Sequence, residues 1–247
     1  MQILLSPAKK QVYSDWYTSG EIKQPKFKEE IEELSTYLKQ LSVEDIANIM
    51  HVSPAIAELN FRRFQDFNCS LWTKNNTGPA IFSFQGDAYK SLSAETLSQD
   101  EILWLNSRLY IISGLYGLLR PLDPIQYYRL EMKTVLSGFK HKNLYNYWGE
   151  KLRDAVASHN EPCLNLASTE YFKAISIPGA VTIDFKEQSH GMKTIGIMAK
   201  RARGLMLRWL AQNSVNDIAD VKYFDLGYTY DSSLSSSSRF VFVSIIN

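Results

Sequence analysis

A short apolar segment that ends at two closely spaced glycines places the strongest constraint on how this chain folds. Leu109 to Ile112 has the length and composition of a buried strand, and Ser113 and Gly114 end it. Gly117 follows shortly after, and glycine allows a sharp turn or a close approach to a ligand. Open α/β sheets bind ligands beyond the carboxyl ends of their strands, so this turn is a candidate site. A purely structural turn is the alternative.

Similar apolar segments elsewhere predict an α/β (mixed α+β) fold with a central mixed sheet flanked by helices. The other predicted strands are Gln2 to Leu5, Ile81 to Phe84, Cys163 to Ala167, Val181 to Phe185, Lys193 to Ile197, Lys222 to Tyr228 and Arg239 to Ile246. Between most of these strands lie segments whose apolar residues recur at helical spacing, which predicts helices there. No repeat and no linker composition divides the chain, so residues 1–247 are predicted to form one domain.

Charge and cysteine content narrow the class of partner and the compartment. The formal net charge is only +1, so a nucleic-acid site would have to be a local patch on a neutral body. The two cysteines, Cys69 and Cys163, form no CxxC, which favours a reducing cytoplasm. No apolar run approaches the length of a membrane span, so we expect no membrane partner. A monomer is favoured.

The segment from about residue 42 to 66 has the outline of a helix-hairpin-helix element. Ser42 and Asp45 predict a capping box for a helix from Val43 to Met50, and Ser53 with Pro54 starts the next helix. In this motif the hairpin amides and the following helix N-terminus bind a DNA phosphate without reading sequence. The candidate DNA-binding residues are Met50, His51, Val52, Ser53, Arg62 and Arg63. His51 and Ser53 replace the two usual glycines, so an ordinary αα-hairpin is the alternative.

Signatures of common catalytic and metal sites are absent from the sequence. GxSxG, HExxH, Walker and GxGxxG motifs do not occur, and the histidines lack metal-ligand spacing, so no metal and no cofactor is predicted. Polar and cationic residues instead follow the predicted strands. If these turns meet at one sheet edge, they form a cationic, aromatic-lined cleft for phosphates and bases. The candidate cleft residues are Ser6, Lys9, Gly86, Asp87, Gly114, Tyr116, Gly117, Arg120, Arg129, Asn165, Ser168, Lys200 and Arg203.

Several motifs together resemble the YaaA-type peroxide-stress protein family, in order and nearly end to end. The matching motifs are Ser6-Pro7-Ala8-Lys9, Gly86-Asp87-Ala88-Tyr89, Ser113-Gly114-Leu115-Tyr116-Gly117 with Arg120-Pro121, Tyr128-Arg129-Leu130-Glu131-Met132, Asn165-Leu166-Ala167-Ser168 with Tyr171-Phe172, and Ala199-Lys200 with Ala202-Arg203-Gly204. Two positions depart from the family pattern. Gln85 stands where the family usually has Lys before Gly-Asp, and Lys10 stands where it usually has a hydroxyl residue.

The resemblance implies a cytosolic protein with one mixed α/β body that carries a helix-hairpin-helix element. It implies a role in protecting cells and their DNA when hydrogen peroxide and free iron cause damage. Family members are associated with double-stranded DNA, in particular distorted duplexes. No catalytic activity is firmly attached to the family.

Two functions therefore compete. The first is a peroxide-stress response protein that binds double-stranded, distorted DNA without sequence specificity. The second is an enzyme acting in the same cleft on a nucleotide-like small ligand or an extruded base, with Asp87 or Tyr116 as the acid–base group. The extruded base would stack on Tyr116 or Tyr128. Direct scavenging of peroxide is disfavoured because the sequence carries no cysteine or metal-ligand constellation.

Overall fold

The fold is built on a central sheet of seven strands. The computed structural model describes residues 1–12, 24–73 and 76–245. The strands in these ranges are β1 (Gln2–Leu5), β2 (Lys10–Gln11), β3 (Gly78–Pro79), β4 (Phe84–Gln85), β5 (Leu109–Ser113), β6 (Gly117–Leu119), β7 (Pro124–Ile125), β8 (Cys163–Asn165), β9 (Val181–Lys186), β10 (Tyr228–Tyr230) and β11 (Arg239–Ser244). The sheet order is β10-β11-β9-β8-β1-β5-β6, and β2–β4 and β3–β7 form two separate pairs.

The sheet is mixed, as the sequence predicts. β1, β5, β8, β9 and β11 run parallel, whereas β6 and β10 pair antiparallel at the two edges. All residues of β1 and β5 are buried. Parallel strands covered by helices on both faces need such uninterrupted apolar sequence, which explains why they are recognisable as short apolar runs.

Ten α-helices surround the sheet in the described part of the chain. They are α1 (Lys28–Gln40), α2 (Val43–Met50), α3 (Pro54–Asp66), α4 (Ala80–Ser83), α5 (Asp87–Leu92), α6 (Gln99–Arg108), α7 (Leu144–Trp148), α8 (Lys151–Ala157), α9 (Thr169–Phe172) and α10 (Gly196–Gln212). The capping box predicted at Ser42 and Asp45 is present at the start of α2. None of the described helices is long and apolar enough to cross a lipid bilayer.

Three predicted strands are not strands. In Lys222 to Tyr228 only Tyr228 belongs to a strand, because β10 begins there and Asp220–Tyr223 is a 3₁₀ helix. Residues 81–84 mostly form the single helical turn α4, because the N–H groups of Ala80 and Ile81 donate to carbonyls of the loop before β7. The segment from Lys193 makes one isolated bridge, with Glu187, and then enters α10. Short apolar runs fit strands and buried helices equally well, so tertiary contacts decide between them.

Helix α10 packs unusually close to α5. Gly204 of α10 lies against the backbone of Ala88, and a Cβ at Gly204 would overlap the Ala88 carbonyl oxygen. The contact brings the amino-terminal half of α10, which carries Lys200 and Arg203, beside the first residues of α5. A glycine is therefore required at this position by packing rather than by backbone conformation.

We expect Gly204→Ala to destabilise the protein by roughly 2 kcal/mol or more, because helix α10 must move away from α5 to relieve the overlap. Urea unfolding followed by circular dichroism would measure the loss. Gly196→Ala is the matched control in the same helix, since a Cβ at that position would meet no neighbouring atom within 4 Å. Equal stability of the two variants would contradict the packing argument.

Candidate nucleic-acid interface

The carboxyl ends of neighbouring parallel strands bring several predicted site residues together. Ser6 follows β1, and its hydroxyl accepts a hydrogen bond from the Ser168 N–H at 2.8 Å just beyond β8. The Tyr89 hydroxyl of α5 donates to the Ser6 carbonyl at 3.0 Å. Gly86 lies against Ala8, where an added Cβ would be 3.1 Å from the alanine side chain. The turn after β1, the turn after β8 and the start of α5 therefore share one edge of the sheet.

A buried carboxylate gathers cations at this edge. Glu131 is 8% exposed, and its oxygens lie 3.0 Å from Lys9 Nζ, 3.2 Å from Arg129 Nη2 and 3.7 Å from Lys133 Nζ. Lys9 and Lys133 are largely exposed, whereas Arg129 is mostly covered. We call Lys9, Arg129 and Lys133 around Glu131 the three-cation cluster.

The three-cation cluster keeps Glu131 ionised. Burial raises the pKa of this carboxyl group, but the hydrogen bond from Lys9 and the charges of Lys9, Arg129 and Lys133 outweigh it, so the pKa lies below its ordinary value. The cluster and Glu131 together carry a net charge of +2, and Glu170, whose carboxylate accepts from the Lys133 N–H at 3.3 Å, lowers the charge of this part of the edge to +1. The cluster is thus a local positive patch on a chain of net charge +1.

The hairpin between α2 and α3 lies next to the three-cation cluster. A cavity of about 180 Å³ separates them, and its walls include Ile49, Met50, His51, Arg129, Lys133 and Val135. Met50 and His51, two of the residues predicted to grip a phosphate, therefore face a common space with Arg129, one of the cations predicted to line a cleft, and Glu131 also lines this space. No feature of the sequence alone places these two regions side by side.

The hairpin itself consists of three residues on the surface. His51 adopts the left-handed conformation (φ 51°), and the Val52 N–H donates to the Ala47 carbonyl at 3.2 Å. Ser53 precedes Pro54, the first residue of α3, and its side chain makes no capping hydrogen bond. His51 and Ser53 are exposed, Val52 is half-buried and Met50 is buried.

The two arginines of α3 are held by neighbours. Arg62 Nε lies 2.9 Å from Glu58 in an exposed i,i+4 pair, which leaves its charge partly offset. The Arg63 guanidinium lies 5.3 Å from the ring centroid of Tyr127. Because Tyr127 is two residues before Arg129, this contact connects α3 to the segment that carries the three-cation cluster.

Lys200 and Arg203 lie on α10 beside the start of α5. Asp87 is partly exposed at the first position of α5, 3.8 Å from Arg201. Lys200 is exposed, whereas burial lowers the pKa of the Arg203 guanidinium and the charge of Asp184 opposes that effect. Arg203 Nε is buried and has no hydrogen-bond partner within the described residues.

Arg120 does not join the other cations, contrary to the predicted cleft. β6 runs antiparallel to β5, so the chain returns to the amino end of β5 before reaching Arg120. Its guanidinium lies 3.6 Å from the ring centroid of Tyr110 and donates to the Leu109 carbonyl at 3.2 Å. Arg120 therefore holds together the opposite edge of the sheet.

Two tyrosines proposed for stacking or acid–base chemistry belong to the core. Tyr116 is fully buried; its hydroxyl accepts a hydrogen bond from the Gln126 N–H at 2.8 Å and donates to the Gln126 carbonyl at 3.2 Å. Tyr128 is also buried and hydrogen-bonds Ser113 at 2.6 Å. Burial raises the pKa of both phenols well above the ordinary value. Of the two acid–base candidates, only Asp87 contacts solvent.

Gly114, Gly117 and Asn165 also serve the fold. A Cβ at Gly114 would overlap the Leu130 carbonyl oxygen, and one at Gly117 (φ +70°) would lie 2.8 Å from the Trp148 ring. The space left by the missing side chain at both glycines is therefore filled by neighbouring protein atoms and not by a ligand. Asn165 is buried, with Oδ1 accepting from the Ala167 N–H at 2.9 Å.

The two departures from the family pattern lie opposite each other. Lys10 of β2 pairs directly with Gln85 of β4 in an antiparallel ladder. Directly opposed residues of such a pair place their side chains on the same face. Lys10, on the neighbouring strand, therefore supplies the positive charge that a lysine at position 85 would have carried.

Glu131 and Lys133 are the site residues that sequence reasoning missed. The segment from Tyr127 to Glu131 has no regular secondary structure, and in its sequence the apolar residues Tyr128 and Leu130 alternate with the charged residues Arg129 and Glu131. That alternation was the available signal, because it places Arg129 and Glu131 on one side of the segment. Lys133 follows in the next turn, where the Thr134 N–H donates to the Glu131 carbonyl.

Thiol and metal chemistry find little support in the geometry. Burial raises the pKa of the Cys163 thiol to about 12 and also raises that of Cys69. The reactive thiolate is therefore disfavoured at both positions. Among residues 1–12, 24–73 and 76–245, no three His, Cys, Asp or Glu side chains come together to hold a metal ion.

Comparison with known sequences identifies the family. The model of the family described as peroxide stress protein YaaA matches residues 1–234. The chain belongs to the YaaA family of peroxide stress proteins. The family resemblance seen in the motifs is thereby confirmed, and with it a role in peroxide stress.

Curated relatives match over their full length. A UPF0246 protein of Legionella pneumophila is 42% identical over 257 aligned residues, which cover 99% of this chain and 100% of the relative. A UPF0246 protein of Shewanella baltica is 44% identical over 254 residues, covering 98% of this chain and 99% of the relative. One from Crocosphaera subtropica is 40% identical over 255 residues, covering 98% and 100%. The relatives' names state no activity.

Tyr116→Phe should lower the free energy of unfolding by roughly 1–3 kcal/mol, because it leaves the buried Gln126 N–H without its acceptor. Urea unfolding measures the change. Tyr223→Phe provides the control, since Tyr223 is 75% exposed. A Tyr116→Phe protein as stable as the control would show that the phenol has no structural role and would reopen its candidacy as an acid–base group.

Glu131 should stabilise the protein in a pH-dependent way. Its pKa is lowered in the folded state, so its contribution is complete above its ordinary value of 4.5 and is lost as the pH falls through the folded pKa. Glu131→Gln should therefore be less stable than the wild type near pH 7, with the gap closing below about pH 4. Thermal or urea unfolding across this range tests it, and a gap that widens on acidification would contradict the assignment.

Proposed function

We propose that this protein contacts the phosphate backbone of double-stranded DNA and binds it without sequence specificity. This binding would be part of the peroxide-stress response. The observation that carries the proposal is the cavity that Met50 and His51 share with Arg129 and Lys133, two members of the three-cation cluster. A backbone anion site and a cationic patch at adjoining positions suit two phosphates of one strand.

The start of α3 provides the first type of contact. The first N–H groups of a helix lack partners within that helix, and Ser53 does not cap them with its side chain. No acidic residue occupies the first turn of α3, and Ser53, the residue directly before it, is exposed. These features favour a phosphate oxygen at this helix end, where the helix dipole adds to the attraction.

The three-cation cluster provides the second type. Lys9 and Lys133 extend into solvent, and point charges on flexible side chains suit phosphates spaced along a backbone. Base reading has less support, because Tyr116 and Tyr128 are enclosed in the core. A neutral protein with a local positive face would then bind DNA in one orientation and with a pronounced dependence on salt.

Fluorescence anisotropy with duplex and bulged DNA tests this proposal directly. We expect binding at about 50 mM salt and a linear fall of log K with log salt. The double variant Lys9→Gln and Lys133→Gln should bind more weakly and reduce the slope by about 1.8, or about 0.9 for each lost phosphate contact. Arg129 remains paired with Glu131 at 3.2 Å in this variant, and circular dichroism would check that the fold is retained.

The matched control removes two positive charges elsewhere. Lys39 and Lys222 are also exposed but lie outside the edge that carries the hairpin and the three-cation cluster. Their double replacement by Gln should leave the salt slope nearly unchanged. The proposal fails if the wild type does not bind any of the duplexes at low salt, or if the control reduces the slope as much as the Lys9 and Lys133 variant.

A further inference from the structure

The cavity beside the hairpin has walls from two separate parts of the chain. Met50 and His51 come from the end of α2, and Arg129 and Lys133 come from the segment after β7. The two proposed phosphate contacts belong to these same two parts, since one is the start of α3 and the other is the three-cation cluster. A strand that meets both contacts binds more tightly when their separation is fixed before binding. The contacts that join α3 to the segment after β7 therefore affect affinity.

Gln126, directly after β7, makes the first of these joining contacts. Its side chain is buried, with Oε1 accepting from the Asn68 N–H at 2.9 Å and Nε2 donating to the Asn68 carbonyl at 2.8 Å. Asn68 lies two residues after Asp66, the last residue of α3. The Gln126 backbone is held in turn by the hydroxyl of Tyr116 in the core. The end of α3 is thus joined to the segment that leads to the three-cation cluster.

Arg63 and Tyr127 make the second joining contact. The Arg63 guanidinium, in the last turn of α3, lies 5.3 Å from the ring centroid of Tyr127. A cation over an aromatic ring is attracted to it, and the attraction grows where water is excluded. Arg63 is half-buried, and burial lowers the pKa of its guanidinium, whereas the side chain of the neighbouring Arg62 is 71% exposed.

Two roles are open to Arg63. Among the residues that the structure describes, it has no ion pair and no hydrogen-bond partner, so its N–H groups could meet a phosphate oxygen. Its position favours the other role. Arg63 lies nine residues along α3 from Pro54, which is about 14 Å from the helix start where a phosphate is proposed. Its ring partner Tyr127 is two residues before Arg129 of the three-cation cluster.

We propose that Arg63 is a positioning residue for DNA binding, which together with Gln126 holds α3 at a fixed distance from the three-cation cluster and does not itself contact a phosphate. The inference rests on the proposed DNA-binding function. It gives Arg63 a role different from the direct DNA contact that the sequence predicts for it.

The salt dependence of binding distinguishes a positioning residue from a phosphate ligand. Loss of a phosphate contact weakens binding and also reduces the slope of log K against log salt by about 0.9, whereas loss of a positioning contact weakens binding alone. We therefore expect Arg63→Gln to bind duplex DNA about tenfold more weakly than the wild type at about 50 mM salt, with nearly the same slope. Fluorescence anisotropy measures both quantities.

The ring of Tyr127 allows an independent test that keeps the Arg63 charge. Tyr127→Leu should weaken binding by about the same factor as Arg63→Gln, and Tyr127→Phe, which retains a ring, should keep most of the affinity. Arg153→Gln is the matched charge control, because Arg153 is also partly covered, at 35% exposed, but pairs with Glu150 at the start of α8. It should bind like the wild type. Circular dichroism would check that each variant is folded.

A double-mutant cycle tests whether Arg63 acts through the three-cation cluster. Once Lys9→Gln and Lys133→Gln have weakened the second contact, a fixed separation contributes less. Arg63→Gln should then cost about threefold in affinity instead of about tenfold. A role confined to the stability of the fold would give the same cost in both backgrounds.

The outcomes separate this inference from the function on which it rests. A slope reduced by about 0.9 in Arg63→Gln would assign Arg63 as a phosphate ligand and overturn the inference. Wild-type affinity in Tyr127→Leu, or equal costs of Arg63→Gln in the two backgrounds, would also overturn it while leaving duplex binding intact. Absence of duplex binding by the wild type would overturn the proposed function and the inference together.

Discussion

The positive edge of this protein depends on the ion pairs between the Glu131 carboxylate and the three cations around it. Three cations this close to one another would repel and spread into solvent without an anion between them. Conversely, a carboxylate that is only 8% exposed would be costly to ionise without cations around it. Each side of the arrangement therefore stabilises the other. The result is a local positive patch on a chain whose net charge is only +1.

Sheet topology decides which residues join that edge. Lys9 follows the central strand β1, and the neighbouring parallel strands place their following turns on the same side. The hydrogen bond between Ser6 and Ser168 ties two of these turns together. Arg120 lies within the same motif-rich stretch of sequence, yet one antiparallel return carries it to the opposite edge. Distance along the chain is thus a poor guide to membership of the site.

Sequence reasoning recovers the elements that have local causes. The capping box at Ser42 and the proline after Ser53 specify the hairpin between α2 and α3. Strands β1 and β5 are recognisable because both are short, largely apolar runs, as strands buried on both faces require. The short run around Ile81 is misread because contacts to a distant loop turn it into a helix. Tyr116 is misread for a related reason, since only the folded core shows that its hydroxyl is satisfied by Gln126.

The hairpin between α2 and α3 closes without a glycine. His51 occupies a position where glycine is usual, and it adopts the left-handed conformation at a cost that histidine bears better than most residues. The Val52 N–H is paired with Ala47, so the turn is closed without glycine. What histidine changes is the surface, because His51 is one of the residues that line the adjoining cavity. The shape of the hairpin is therefore independent of glycine, whereas the chemistry of the adjoining cavity depends on the residue chosen.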